Sequence, residues 1–237
     1  MNLRKPALFS LLLASAAGAW CNDRPFQAAR TAVMEDDEYT WSIETWAQRF
    51  GRVRGLSFEP EYTFGGGFSI QGELTKLKDR DGHETGHEAE VEFKQVFNNI
   101  ARDGWGVALS AAFGRERLGD EDGEGAVRSV ALKLPVSVAL GASGALLHLN
   151  VGTEKSTGHK RQWGSAIAVE HEVYRRTWLI AEFSRSGEEK FAQVGVRHWL
   201  RKEKLAIDFT LQQQRRDDDG SGRRASGFIL GVGFYDL

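Results

Sequence analysis

The chain has 237 residues, with 27 glycines, 4 prolines, a single cysteine and a formal net charge of -2. Its length suits one domain with a complete core or one closed barrel. The scarcity of proline, the near-neutral charge and the lack of a long basic tract exclude a proline-rich disordered chain and give no sign of a nucleic-acid partner.

The chain opens with "MNLRK", an apolar run "PALFSLLLASAA" and the small-x-small site Ala17–Ala19. This pattern predicts an export signal over residues 1–19. Its removal takes away Arg4 and Lys5, so the mature charge falls from -2 to -4. Cys21 follows the cut, but the large Trp20 before it is unlike a lipidation site. One cysteine also forms no internal disulfide. Residues 20–37, including "RPFQAARTAVMEDD", read as an N-terminal periplasmic arm or a short helix.

From residue 38 onward the pattern has period two. "GLSFEPEYTF" places Leu56, Phe58, Pro60, Tyr62 and Phe64 on one side and Ser57, Glu59, Glu61 and Thr63 on the other. "FSIQGELTK", "EAEVEFKQVF" and "WGVALSAAF" alternate in the same way, and seven further segments follow, ending in "RRASGFILGVGFYDL". With "EYTWSIETWAQRF" at the front, the sequence predicts twelve strands over residues 38–237. No later apolar run reaches the ~20 residues of a membrane helix, but alternating strands of this length suit a closed membrane barrel. Pro60 and Pro135 fit a central ladder poorly, because proline donates no hydrogen bond.

Long polar links such as "DRDGHETGH", "GRERLGDEDGEG" and "RRDDDGSGRR" alternate with short ones such as "GASG", "YRR" and "RKE". Outer-membrane barrels show this asymmetry between external loops and periplasmic turns. The reading is therefore an all-β transmembrane antiparallel up-and-down barrel of about twelve strands. A periplasmic sandwich or a lipocalin-like barrel also alternates and remains an alternative.

An export signal, serial hairpins and a strand at the C-terminus resemble Gram-negative outer-membrane β-barrel proteins, including uncharacterised proteobacterial barrels similar around "FEPEYTF" and "EVEFKQVF". The last strand resembles their assembly signal at Ile229, Tyr235 and Leu237, although the opposite register, Phe228, Leu230, Val232 and Phe234, is equally apolar. The resemblance implies the outer membrane as location, with its lipid and the barrel-assembly machinery as partners.

With apolar faces toward lipid, Glu59, Glu61, Glu73, Glu90, Glu92, Lys94, Glu170, Glu172 and Arg197 are expected to line the lumen, joined by Glu182 and Asp208. Clustered carboxylates in a narrow interior need water or cations. The expected function is a narrow channel or transporter for small polar or cationic solutes. The alternatives are a non-enzymatic structural or surface-interaction barrel and, third, a lipid hydrolase. Some outer-membrane barrels cleave lipids with a serine and a histidine, but no serine follows His148, His171 or His198 at histidine-x-serine spacing.

The sequence "HETGH", His83 to His87, fits the zinc-protease pattern H-E-x-x-H. That chemistry needs a helix, which brings both imidazoles to one face. Here Asp81-Gly82 and Gly86 favour a turn, and on a strand the two histidines would stand about 13 Å apart. The stretch therefore reads as the rim of the first long loop, and no catalytic residue, metal or cofactor is assigned.

Overall fold

Alternation along each strand fixes which side chains face inward, and twelve such strands close on one another. The structure is a computed structural model that describes residues 25–34, 36–79, 84–118, 126–141, 144–216 and 223–237. The export signal, Cys21 and His83 lie outside the described residues. The strands are β1 (Thr40–Phe50), β2 (Val53–Thr63), β3 (Phe68–Lys78), β4 (Glu84–Val96), β5 (Trp105–Leu118) and β6 (Val127–Leu140). They continue as β7 (Ala145–Ser156), β8 (Gln162–Tyr174), β9 (Thr177–Ser186), β10 (Glu189–Arg201), β11 (Leu205–Arg216) and β12 (Arg223–Phe234). Each pairs antiparallel with its neighbours in sequence, and β1 pairs with β12 to close the barrel. Among the described residues no helix is long and apolar enough to cross a membrane; the strands do so instead.

Both termini of the barrel lie at one end, here the termini end, and most of the longer links, 97–104 excepted, at the other, the loop end. One termini-end link holds a helical turn, α1 (Ile100–Asp103), capped by Asn99, whose side chain accepts from the Arg102 amide at 3.2 Å. Some loop-end links are shorter than the sequence suggested. Residues 84–87 belong to β4, with Gly86 paired to Leu77 and His87 to Lys76, so most of "HETGH" is ladder. The turn between β9 and β10 holds only two residues, because pairing extends to Ser186 and Glu189.

The two awkward prolines sit at local gaps in pairing. The β2–β3 register passes from Phe58↔Leu74 to Glu61↔Gln71 without a shift, skipping Pro60. The β5–β6 register passes from Val107↔Val136 to Ser110↔Lys133, skipping Pro135. Each proline supplies no amide donor on that side and stays paired on the other, Pro60 with Ile43 and Pro135 with Asn150.

The outward faces are apolar around the middle of the wall. Leu56, Leu74, Phe113, Leu132, Phe183 and Leu211 are all exposed. Trp41, Tyr62, Trp105, Tyr174 and Phe234 form an aromatic belt near the termini end, with the Trp41 and Tyr62 rings 4.9 Å apart. An apolar band edged by aromatic residues on a closed barrel with a polar interior is the lipid-facing surface of a transmembrane barrel. In β12 the register toward lipid is Phe228, Leu230, Val232 and Phe234, while Ile229 and Tyr235 are buried inside. The alternate set that resembled an assembly signal is therefore lumenal through Tyr235. Its glycines make space: a Cβ on Gly231 would fall 2.0 Å from the ring of Trp46, the residue directly opposite on β1.

Candidate functional site: a lumen occupied by the chain's own arm

Small inward residues leave a groove along one side of the barrel. Ala108 and Ala112 on β5, Ala131 on β6 and Ala166 and Ala168 on β8 are all buried. Residues 25–34 run through this space without regular secondary structure. An irregular segment inside a wall must have its amides satisfied by side chains.

Glu182 supplies most of that. Its carboxylate accepts from the backbone amides of Gln27 and Ala28 at 2.8 Å each and of Ala29 at 2.5 Å. Gln193, directly opposite Glu182 on β10, donates from Nε2 to Pro25 O at 2.9 Å and to Glu182 Oε2 at 2.8 Å. Asn150 holds Arg30 from both directions: its Oδ1 accepts the Arg30 amide at 2.8 Å and its Nδ2 donates to Arg30 O at 2.9 Å. Lys133 Nζ donates to Ala28 O at 3.2 Å.

The arm also carries its own charge into the lumen. The Arg30 guanidinium donates from Nε to Glu92 at 2.8 Å, and both side chains are shielded, at 0% and 2% exposed. Apolar contacts fill the remainder. Phe26 packs on Ala166, Ala168 and Ile180, and Ala32 on Val96 and Ala108. At Gly106 the arm comes so close that a Cβ would lie 2.4 Å from Ala32 O.

A serine–histidine–glutamate row stands beneath the arm. The Ala32 amide donates to Ser137 Oγ at 2.8 Å, and the same hydroxyl is hydrogen-bonded to His148 Nδ1 at 2.8 Å. His148 Nε2 is 3.4 Å from Glu170 Oε1, and the Phe26 ring lies 5.3 Å from the imidazole. Ser137 and His148 are both 0% exposed, so the row holds the arm in place. The serine that meets His148 is the residue opposite it on β6, not one at histidine-x-serine spacing. His171 lies on the lipid-facing side with Ile167 and Val169.

The other residues selected from sequence fall as follows. Glu59, Glu90, Glu92, Lys94 and Arg197 are buried on inward faces, and Glu61, Glu73 and Glu170 are half-buried there. Glu172 is at the termini-end mouth, where it accepts the Arg176 amide at 2.8 Å. Arg197 bonds Asp208 at 2.8 Å and lies 3.9 Å from Glu44. Its guanidinium sits over the Trp199 and Tyr235 rings at 5.4 and 5.6 Å. Toward the loop end, beyond the arm, Glu73, Glu88, Glu90 and Glu116, with Arg115, Ser129 and Ser156, line a cavity. Among the described residues no group of three histidine, cysteine, aspartate or glutamate side chains could hold a metal ion. His87 and His159 are separate surface groups, the latter in the turn after β7.

At the termini-end rim the arm joins β1. Asp37 donates its amide to Asp236 Oδ1 at 2.8 Å, and Lys204 Nζ lies 2.9 Å from Asp236 Oδ2. Burial, and then the charge of Glu61, raise the Asp36 carboxyl to about 6, against opposing hydrogen bonds from Ser42 and Asp236.

Sequence reasoning did not place the arm in the lumen. The available signal was the run of small inward residues on β5, β6 and β8. A narrow barrel filled only by its wall would carry larger side chains there.

No model of a known protein family matches the sequence, and no curated protein matches it. Solved structures do match. A KdgM porin, in complex with disordered oligogalacturonate, is 10% identical with a TM-score of 0.59, covering 81% of this chain and 98% of that one. The NanC porin is 7% identical with a TM-score of 0.57, covering 82% and 98%. The translocator domain of the autotransporter NalP from Neisseria meningitidis is 11% identical with a TM-score of 0.52, covering 96% and 94%. At these identities the likeness is one of fold. Closed barrel, lipid-facing band and fold together make the chain an outer-membrane β-barrel.

Proposed function

We propose that the chain is a narrow outer-membrane channel for small cationic or polar solutes, closed by its own N-terminal arm and opened when the arm leaves the groove. The observation that carries this reading is how the arm is held. Its backbone is gripped mainly by side chains, Glu182, Gln193, Asn150 and Ser137, and not by a ladder of the sheet. Such contacts exchange for water one at a time, whereas a paired strand leaves only with its whole ladder. The acidic cavity toward the loop end supports the cationic preference, because inward carboxylates raise the local concentration of cations.

Planar-bilayer recording tests this. The Arg30→Ala/Glu182→Gln variant, shown to be folded by heat-modifiable mobility, should give cation-selective steps more often than wild type. A folded variant that never conducts would count for a purely structural barrel, in which the same arm is a permanent filler.

A further inference from the structure

Charge is sorted across the barrel wall. The strand carboxylates near the loop end, such as Glu73, Glu90, Glu116 and Glu154, project inward. The outward positions at that end carry arginine and lysine, and the register sets them opposite one another. On β1 to β3, Arg49 is paired with Arg54, and Arg54 with Lys78. On β9 to β12, Arg185 is paired with Lys190, Lys190 with Arg215, and Arg215 with Arg224. Because β12 pairs with β1, both runs lie on one arc of seven consecutive strands. The Arg115↔Arg128 pair repeats the pattern on β5 and β6.

Like charges directly opposite each other destabilise an antiparallel pair, and a solvent face ordinarily alternates sign. On this arc no aspartate or glutamate interleaves at the described outward positions. The depth of the charges is equally specific. Each run sits within the last or first two residues of its strands, next to the outward Leu56 and Phe183 and one polar outward residue, Lys76, Gln213 or Ser226, beyond Leu74, Leu211 and Phe228. That is where hydrocarbon gives way to headgroups. These positions lie on the outward face of the wall, and Arg185 also donates from Nε to Gly187 O of the adjoining turn at 3.2 Å.

We propose that this arc binds the negatively charged, phosphate-bearing headgroups of outer-leaflet lipids. A phosphate placed between two opposed guanidinium groups accepts from both forks and turns their repulsion into a bridge. Basic residues at headgroup depth attract anionic lipid in the same way at other membrane surfaces. The arc therefore recruits a ring of anionic lipid around β9–β12 and β1–β3, whatever passes through the lumen.

The test uses full-length protein in phosphatidylcholine vesicles, alone, with phosphorylated lipid A, or with lipid A stripped of its phosphates. The readout is the temperature at which the heat-modifiable band is lost. Phosphorylated lipid A should raise the wild-type midpoint, and the phosphate-free form should not. The Arg185→Gln/Lys190→Gln/Arg215→Gln/Arg224→Gln variant should lose more than half of that rise. If it does not fold, Arg49→Gln/Arg54→Gln/Lys78→Gln is read in its place. An equal rise with phosphate-free lipid A would overturn the proposal, as would a full rise in the folded variants. So would a rise reproduced by inorganic phosphate or by heparin added to phosphatidylcholine vesicles, which would mark a general anion surface in place of a lipid site.

Discussion

Arg30 and Glu92 form an ion pair between the arm and β4 in which neither side chain reaches solvent. Removing one member of a shielded pair usually costs more than the pair itself contributes, because the other charge stays behind in a poor environment. Arg30→Ala should weaken arm docking by about 3 kcal/mol. Glu92→Gln added to it should recover part of the loss. Protease sensitivity of the arm in folded protein measures both.

Glu182 converts one carboxylate into acceptors for three successive amides. Hydrogen bonds to an ionised acceptor are roughly twice as strong as neutral ones. Glu182→Gln keeps the shape and removes the charge, and an amide nitrogen would face donors it cannot accept from. A loss of about 1–3 kcal/mol is expected. It should increase the arm-out population by about 5- to 150-fold. Open probability in single-channel records reads this directly.

Gly106→Ala would set a methyl group against Ala32, on the arm, which supplies the three nearest atoms. The expected result is an intact barrel with a displaced arm. Heat-modifiable mobility should persist while the arm becomes open to protease.

Gly231→Val acts on the closing seam. The added side chain would occupy the space of the Trp46 ring across the β1–β12 pair. Closure should fail or slow severely, seen as loss of the compact, heat-modifiable band. Trp46→Ala in the same chain should restore part of it, since the clash is between those two residues.

Asp36 gives the rim a pH dependence of defined sign. Its carboxyl is raised from 3.8 to about 6 in the docked state. The docked state therefore binds a proton more readily than the free arm, so docking gains strength as pH falls from above about 6 toward 4, and loses that gain as pH rises. Asp36→Asn should flatten this contribution. The comparison of variant with wild type between about pH 5 and 7 isolates it, since Glu182 and Glu92 are present in both.

How far the sequence could be read follows from which features have a period. Leu56, Phe58 and Leu74 against Ser57, Glu59 and Thr75 record the two faces of a wall, and twelve such stretches with uneven links foretell a closed barrel. Strand ends are less legible, since Ser186 and Glu189 look like loop residues and pair nonetheless. The lumenal carboxylates could be selected from alternation, but their partners could not. Glu92 meets an arginine 62 positions earlier, in a segment with no period of its own. The same limit applies to Ser137 and His148, 11 residues apart on adjacent strands, because register sets that contact and no spacing rule announces it.

The arm precedes every strand in the chain, yet its partners are spread from Glu92 on β4 to Gln193 on β10. A binding groove assembled from that many strands does not exist while the wall is still being laid down. The arm has to wait outside through nearly the whole of insertion and finds its place only in a finished cylinder. Docking thus reports completion: a barrel that has lost a hairpin or slipped its register offers no seat, leaving an accessible peptide as the mark of a faulty product.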